Sequence, residues 1–207
     1  MITGFMLSRL YGILDAPWLY RMAQAVLAPG GESAIVWKLQ QLAESTSAGT
    51  GILDVGCGPA SWLWRIKLEP WGLDFTPSYI KKYCAEGRQG VVGAAEALPF
   101  PSRHFGTVWS IGLLHHLPDK AASQAVAEMA RVCRSDGWVV ILDAITPASP
   151  WRRPIAHALR RLDRGGFVRA ESALSAIIKL GAGKTVIKEK LTYSIYGLEL
   201  LVTCFQP

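Results

Sequence analysis

Apolar residues recur along this chain in two rhythms. Over the first part they fall at helical spacing, in "MLSRLYGIL", "WLYRMAQAVL" and "AIVWKLQQLAE", with breaks at Asp15, Pro17 and the "PGG" of 29–31. This predicts two or three helices over residues 3–45. After the polar "STSAGT" the rhythm shortens. Apolar runs at 51–55, 70–74, 90–94, 106–111 and 137–143, each bounded by glycine, proline or a polar residue, read as strands. Helical patterns near 61–67, 77–87 and 119–134 lie between them. Strands alternating with helices call for a parallel sheet with right-handed crossovers, covered on both faces. Near the end, "TVIKEKLTYSI" and "LELLVTCF", joined by "YGL", read as an antiparallel hairpin closing the sheet edge.

Composition narrows this picture without redirecting it. A chain of 207 residues, half of them hydrophobic, suffices for one sizeable core, and no repeat or linker divides it. The expectation is one domain. Arg9, Asp15 and Arg21 interrupt the apolar N-terminus, so no run reaches the roughly 18 residues of a membrane span. With no small-residue cleavage site there, a signal peptide is not expected either. Cys57, Cys84, Cys133 and Cys204 are widely spaced without a C-x-x-C pair, which suggests neither a zinc site nor a disulfide framework. A cytoplasmic location and no metal are the expectations. The formal charge of +6 is modest and spread along the chain, apart from one arginine-rich stretch.

The most informative segment is "ILDVGCGPASWLWRI", residues 52–66. A glycine loop between a first strand and a first helix sets backbone N–H groups against a ligand that approaches the main chain closely. The dinucleotide pattern G-x-G-x-x-G/A is not met, because Ser61 holds its last position, and no phosphate loop of the G-x-x-x-x-G-K-[ST] type occurs. Asp54, two residues before the first glycine, would repel a pyrophosphate but suits an ammonium, directly or through water. The ligand implied is nucleoside-like and cationic.

At these residues the sequence resembles the class I S-adenosylmethionine-dependent methyltransferases, in particular the small-molecule branch that includes the ubiquinone and menaquinone biosynthesis enzymes. "ILDVGCGPA" matches the first family motif, with Gly56 and Gly58 kept and Ala60 in the third glycine's place. "WGLDFTPSYI" matches the second, "VVGAAEALPFPSRHF" the third, "GTVWSIGLLHHLPD" the fourth, and "MARVCRSDGWVVILD" the fifth strand with its lead-in. The resemblance implies an α/β, Rossmann-like, seven-stranded and mostly parallel sheet, with a helical N-terminal cap and a C-terminal antiparallel hairpin. It also implies S-adenosyl-L-methionine as cofactor and S-adenosyl-L-homocysteine as product. Cofactor-binding positions would be Asp54, Gly56, Cys57, Gly58, Asp74 for the ribose hydroxyls, Phe75 against the adenine, Ala95 and Glu96 through their backbone amides, and Ile111. The regions implied are a cap over 1–48, a cofactor core over 49–145, a substrate-side lid over 146–183 and the hairpin over 184–207.

Departures from the family pattern bear on function. Relatives read G-D-A-E where this chain reads "GAAE", so Ala94 removes one adenine contact; Glu96 either replaces it or only caps the loop. Gly106 stands where relatives often carry an aspartate, a local structural loss. Asp54 and Asp74 are only 20 positions apart, so the first helix or its exit is shortened. Trp62, Trp64 and Trp71 crowd that region and read as core packing.

Methyl transfer is an in-line displacement needing alignment and, for an ordinary hydroxyl or protonated amine, a base. His115 and His116, just after strand four, are the candidates, His115 ahead; the alternative is that they only shape the cofactor pocket. Tyr11, Trp18 and Tyr20 either line the acceptor site or pack. Between Trp151 and Arg169, Arg153, Arg160, Arg161 and Arg164 could form one basic face. That face would clamp an anionic substrate, meet acidic lipid across 152–169, or simply be solvated. The expected function is methylation of a small, apolar or amphipathic acceptor. Against it stand a nucleic-acid or protein methyltransferase, supported only by the basic excess, and a non-catalytic S-adenosylmethionine-binding protein. The acceptor atom and oligomeric state are left open.

Overall fold

The computed structural model describes residues 30–46, 51–161, 165–181 and 184–207. In chain order the elements are α1 (Gly31–Ser45), β1 (Ile52–Val55), a 3-10 turn (Trp62–Ile66), β2 (Trp71–Asp74), α2 (Pro77–Ala85), β3 (Gly90–Val92) and β4 (Phe105–Ile111). There follow a 3-10 turn (Leu114–His116), α3 (Asp119–Val132), β5 (Cys133–Ile145), α4 (Pro154–Arg161), α5 (Glu171–Gly181), β6 (Lys184–Thr192) and β7 (Glu199–Gln206).

The seven strands form one sheet in the order β3-β2-β1-β4-β5-β7-β6. The first five run parallel, and β7 enters antiparallel between β5 and β6. The order reverses between β1 and β4, which leaves a crevice at the carboxyl ends of those strands, where open α/β sheets hold ligands.

Alternation along the central strands sorts side chains onto two faces. Val139 and Ile141 of β5, with Leu201 and Phe205 of β7, pack under α3 and α5 through Val126, Met129, Leu174 and Ile178. Val140 and Leu142, with Val202 and Cys204, pack on the other face against Ile35, Leu39 and Leu42 of α1 and Leu63. α1 covers that face because the crossover after β1 is only a five-residue 3-10 turn, ended by Lys67 in the left-handed region. Trp62 and Trp64 are half-buried there, and Trp71 is exposed at its margin.

The expected elements shift in detail. β5 begins at Cys133 rather than 137, because Cys133 pairs with Phe105 across a register shift before Thr107. The helix expected over 61–67 is 3-10, and α5 was not foreseen, although Leu174, Ile177 and Ile178 carry helical spacing. Of the helices expected over 3–45, α1 lies within the described residues; Tyr11, Trp18, Tyr20 and the remainder of the cap lie outside them.

Candidate functional site

β1 and β2 end side by side, and their carboxylates organise the glycine loop. Asp74 accepts from Gly58 N at 3.0 Å through Oδ2 and from Thr76 N at 2.8 Å through Oδ1. Each oxygen keeps a second lone pair for another donor. Gly56 N and Cys57 N both donate to Leu73 O, at 2.7 and 3.1 Å, which ties the start of the loop to β2.

The two loop glycines do different work. Both lie in the left-handed region, with φ of 79° at Gly56 and 61° at Gly58. A Cβ on Gly56 would fall 2.9 Å from Leu113 Cδ1, so that glycine is required by the protein's own packing. A Cβ on Gly58 would meet nothing within 4 Å. Its bare backbone faces open space at the crevice. Ala60 needs no such freedom: among the described non-glycine residues only Lys67 and Arg103 have positive φ.

Ser61, which breaks the dinucleotide pattern, has its own role. Its hydroxyl donates to Asp54 Oδ2 at 2.6 Å and accepts from Leu63 N at 3.0 Å, capping the 3-10 turn. Asp54 is 2% exposed. Burial pushes its carboxyl up to about 7; the Ser61 hydrogen bond opposes the rise and the Asp74 charge adds to it. The Cys57 side chain turns away into a cluster with Ile80 and Tyr83, so only its backbone faces the crevice. Burial pushes its thiol far up, aided by Asp54 and Asp74.

Phe75 is 77% exposed beside Asp74, a flat apolar surface at the crevice mouth. The Ala95 side chain is buried in the core, and Glu96 is half-buried in a turn where Ala97 N donates to Ala94 O. That loop is fastened to α3. Glu128 accepts from Leu98 N, while Arg131 donates to Leu98 O and Phe100 O and holds Glu128 well below the usual carboxylate range. Ile111 is half-buried at the end of β4, before Gly112 at φ 71°.

The histidines differ sharply. His116 is exposed, whereas the His115 side chain is 11% exposed and its Nδ1 lies 2.7 Å from Asp143 Oδ1. Asp143, wholly buried near the end of β5, also accepts from Leu114 N at 2.5 Å, His115 N at 3.3 Å and Ala144 N at 2.7 Å. A carboxylate so surrounded by donors is an acceptor, which makes Nδ1 the protonated ring nitrogen. Sequence reasoning passed over Asp143, read only as the end of a strand. Glycine is demanded beside the ring, since a Cβ on Gly165 would run into the His115 imidazole.

The basic face expected from Arg153, Arg160, Arg161 and Arg164 is not what the described residues form. Arg160 is buried and donates to Ile145 O, Glu199 O and the Tyr193 hydroxyl. Arg153 pairs with Glu199 at 2.6 Å and donates to Gly197 O. Arg169 is likewise buried and donates to Leu114 O, Leu117 O and Asp119. These guanidiniums turn inward because a fork of donors can satisfy several carbonyls at once. Arg161 is exposed, and Arg164 lies outside the described residues. A hollow of about 240 Å³ bordered by Thr146, His157, Arg160, Gly165 and Val168 adjoins His115 through Gly165. Among the described residues there is no cluster of three metal-ligating side chains, and no helix is long and apolar enough to cross a membrane.

Comparison with known proteins agrees with this geometry. Residues 53–141 match the family described as "Methyltransferase domain". The chain is similar to the 2-methyl-6-phytyl-1,4-hydroquinone methyltransferase of Synechocystis, 32% identical over 127 residues, which are 54% of this chain and 39% of that one. It is also similar to the tRNA (carboxymethyluridine(34)-5-O)-methyltransferase of Arabidopsis thaliana, 30% identical over 136 residues, 62% of this chain and 33% of that one. The chain thus spans less than half the length of these two relatives. Among solved structures, the PH0226 protein of Pyrococcus horikoshii superposes with a TM-score of 0.68 at 17% identity, covering 93% of this chain and 92% of that one. Residues 53–141, somewhat under half of the chain, thus match the methyltransferase domain family, and the sheet as a whole has the fold of that solved structure.

Proposed function

We propose that this protein transfers the methyl group of S-adenosyl-L-methionine to a small, apolar or amphipathic acceptor through a hydroxyl, leaving S-adenosyl-L-homocysteine. The observation that carries the cofactor reading is the joined end of β1 and β2, where Asp74 holds the Gly58 amide while the space in front of Gly58 stays open. These residues fit a cationic nucleoside. Asp74 would accept from ribose hydroxyls, Phe75 would cover the adenine, and Asp54 would face the ammonium. The amides of Ala95 and Glu96 would serve the adenine edge in place of the carboxylate missing at Ala94, with Cys57 contributing backbone only and Ile111 an apolar wall.

When bound, the cofactor supplies an electrophilic methyl group on a sulfonium centre. The chain's part is to align the acceptor and take its proton. Asp143 fixes His115 with Nδ1 protonated, so Nε2 is the atom that receives the proton from the acceptor hydroxyl. Asp143 is a positioning residue, and it stabilises the imidazolium that forms. The His116 ring lies tilted against the His115 ring, centroids 4.2 Å apart, and is kept as the second candidate. Residues 1–207 are read as one domain, with the cap over 1–48, the cofactor core over 49–145, the acceptor side over 146–183 and the hairpin over 184–207. Tyr11, Trp18 and Tyr20 are kept as acceptor-side candidates.

Calorimetry with S-adenosylhomocysteine tests the cofactor half: binding is expected, weakened at least tenfold by Asp74→Ala. No binding by the unsubstituted protein would end the reading. The similarity to a tRNA methyltransferase favours RNA as a second acceptor class. Transfer of labelled methyl to bulk tRNA, with none to small amphipathic hydroxyl compounds, would select it.

A further inference from the structure

The sheet edge from which β5 exits carries a surface that methyl transfer does not use. Ile145, Glu199 and Thr192 pair in one row across β5, β7 and β6. The segment 146–161 and the turn 193–198 therefore leave the sheet side by side. Arg153 binds them together through Glu199 and Gly197 O.

α4 on this edge has two faces. Ala156 and Arg160, four apart, point inward and are buried. At about 100° per residue, Ile155 and Ala158 fall on the opposite side, and both are exposed, Ile155 at 52%. Trp151, in the turn before the helix, is 94% exposed, and Ile195 in the neighbouring turn is 74% exposed. Arg152 and Arg161, also exposed, flank this apolar strip.

The charge pattern selects the partner. No acidic residue occurs between Thr146 and Arg161, and residues 193–198 carry no charge. A merely solvated face mixes both signs and does not present an indole and two isoleucines together. A nucleic-acid surface would turn its arginines outward in number, yet Arg153 and Arg160 face Glu199 and main-chain carbonyls. Exposed Trp and Ile flanked by arginine without acids match the headgroup layer of an anionic membrane. We infer that α4, its preceding turn and the β6–β7 turn dock on an anionic lipid surface. Trp151, Ile155 and Ile195 enter the headgroup layer, and Arg152 and Arg161 meet lipid phosphates. This edge is also where His115 sits, so an apolar acceptor would come from the lipid; that last clause rests on the methyl-transfer reading, the docking does not.

Flotation of the full chain, without cofactor, on phosphatidylcholine vesicles and on vesicles that also contain phosphatidylglycerol tests the proposal. Binding is expected only to the mixed vesicles. R152Q/R161Q weakens it about thirty-fold, and W151S/I155S at least tenfold, with circular dichroism unchanged. Absence of binding at low salt, equal binding to neutral vesicles, competition by RNA, or self-association abolished by the same substitutions would each overturn it. Vesicle binding by a protein that binds no S-adenosylhomocysteine would leave the docking standing and remove the methyl-transfer reading.

Discussion

The two halves of the crevice are held by different kinds of bond. On the cofactor side, Asp54, Gly56, Gly58, Ser61 and Asp74 lie within one β-strand, turn and strand, and the hydrogen bonds described for them link residues 2 to 17 positions apart. On the acceptor side, Asp143 reaches back 29 positions to Leu114, Arg160 reaches 39 to Glu199, and Arg169 reaches 55 to Leu114. The first half is joined mainly by bonds between neighbours in sequence, although Gly56 also packs on Leu113. The second exists only once the whole sheet is assembled, so its loss reports on tertiary structure and activity together.

Asp143→Ala should break this distinction most severely. It strands the buried amides of Leu114 and Ala144 and the His115 ring, for about 5 kcal/mol lost in urea unfolding. Asp143→Asn retains an acceptor and should recover part of the stability while leaving turnover low, which separates positioning of His115 from mere support.

Asp54 gives the next effect, on the cofactor side. Its folded pKa is raised from 3.8 to about 7, so between those values the folded state binds more protons than the unfolded one. Stability of the ligand-free protein therefore falls as pH rises from about 4 to about 7 and levels off above, by at most about 4 kcal/mol. The groups that face it are Ser61, Asp74, Cys57 and Tyr83. A cationic ligand favours the ionised carboxyl, so S-adenosylmethionine affinity should rise with pH up to about 7. Titration calorimetry across that range, with Asp54→Asn as the flat control, checks both slopes.

Arg169→Met comes third. Removing the guanidinium leaves two buried carbonyls unmet and should cost about 3 kcal/mol in denaturant unfolding, while cofactor affinity stays the same. The smallest change belongs to Gly58→Ala. Strain at positive φ costs about 1 kcal/mol, with no clash inside the protein, yet calorimetry should show cofactor binding down at least tenfold. Gly56→Ala, which meets Leu113, should lose more stability than Gly58→Ala.

This contrast also explains what was legible beforehand. β1 to β4, the glycine loop and the closing hairpin are visible in short apolar runs and nearby turn residues. Asp143 was not, because a carboxylate at the end of an apolar strand has no spacing that ties it to a histidine 28 positions earlier. The arginines of 151–169 misled for the same reason. Read together they suggested one basic face, whereas the carbonyls that draw Arg160 and Arg169 inward come from distant positions, Glu199 at the start of β7 and Leu114 in the 3-10 turn after β4. Ser61 looked like a broken motif until its hydroxyl was seen between Asp54 and the following turn.

The short 3-10 crossover after β1 has a consequence for where this chain can be cut. The family match begins at residue 53, but Leu63, Trp109, Val140 and Leu142 are roofed by Ile35, Leu39 and Leu42, which precede it. A fragment starting at residue 53 would bare the part of the sheet that α1 covers and should aggregate on expression. The minimal autonomous unit therefore starts before α1, some twenty residues upstream of the recognisable motif.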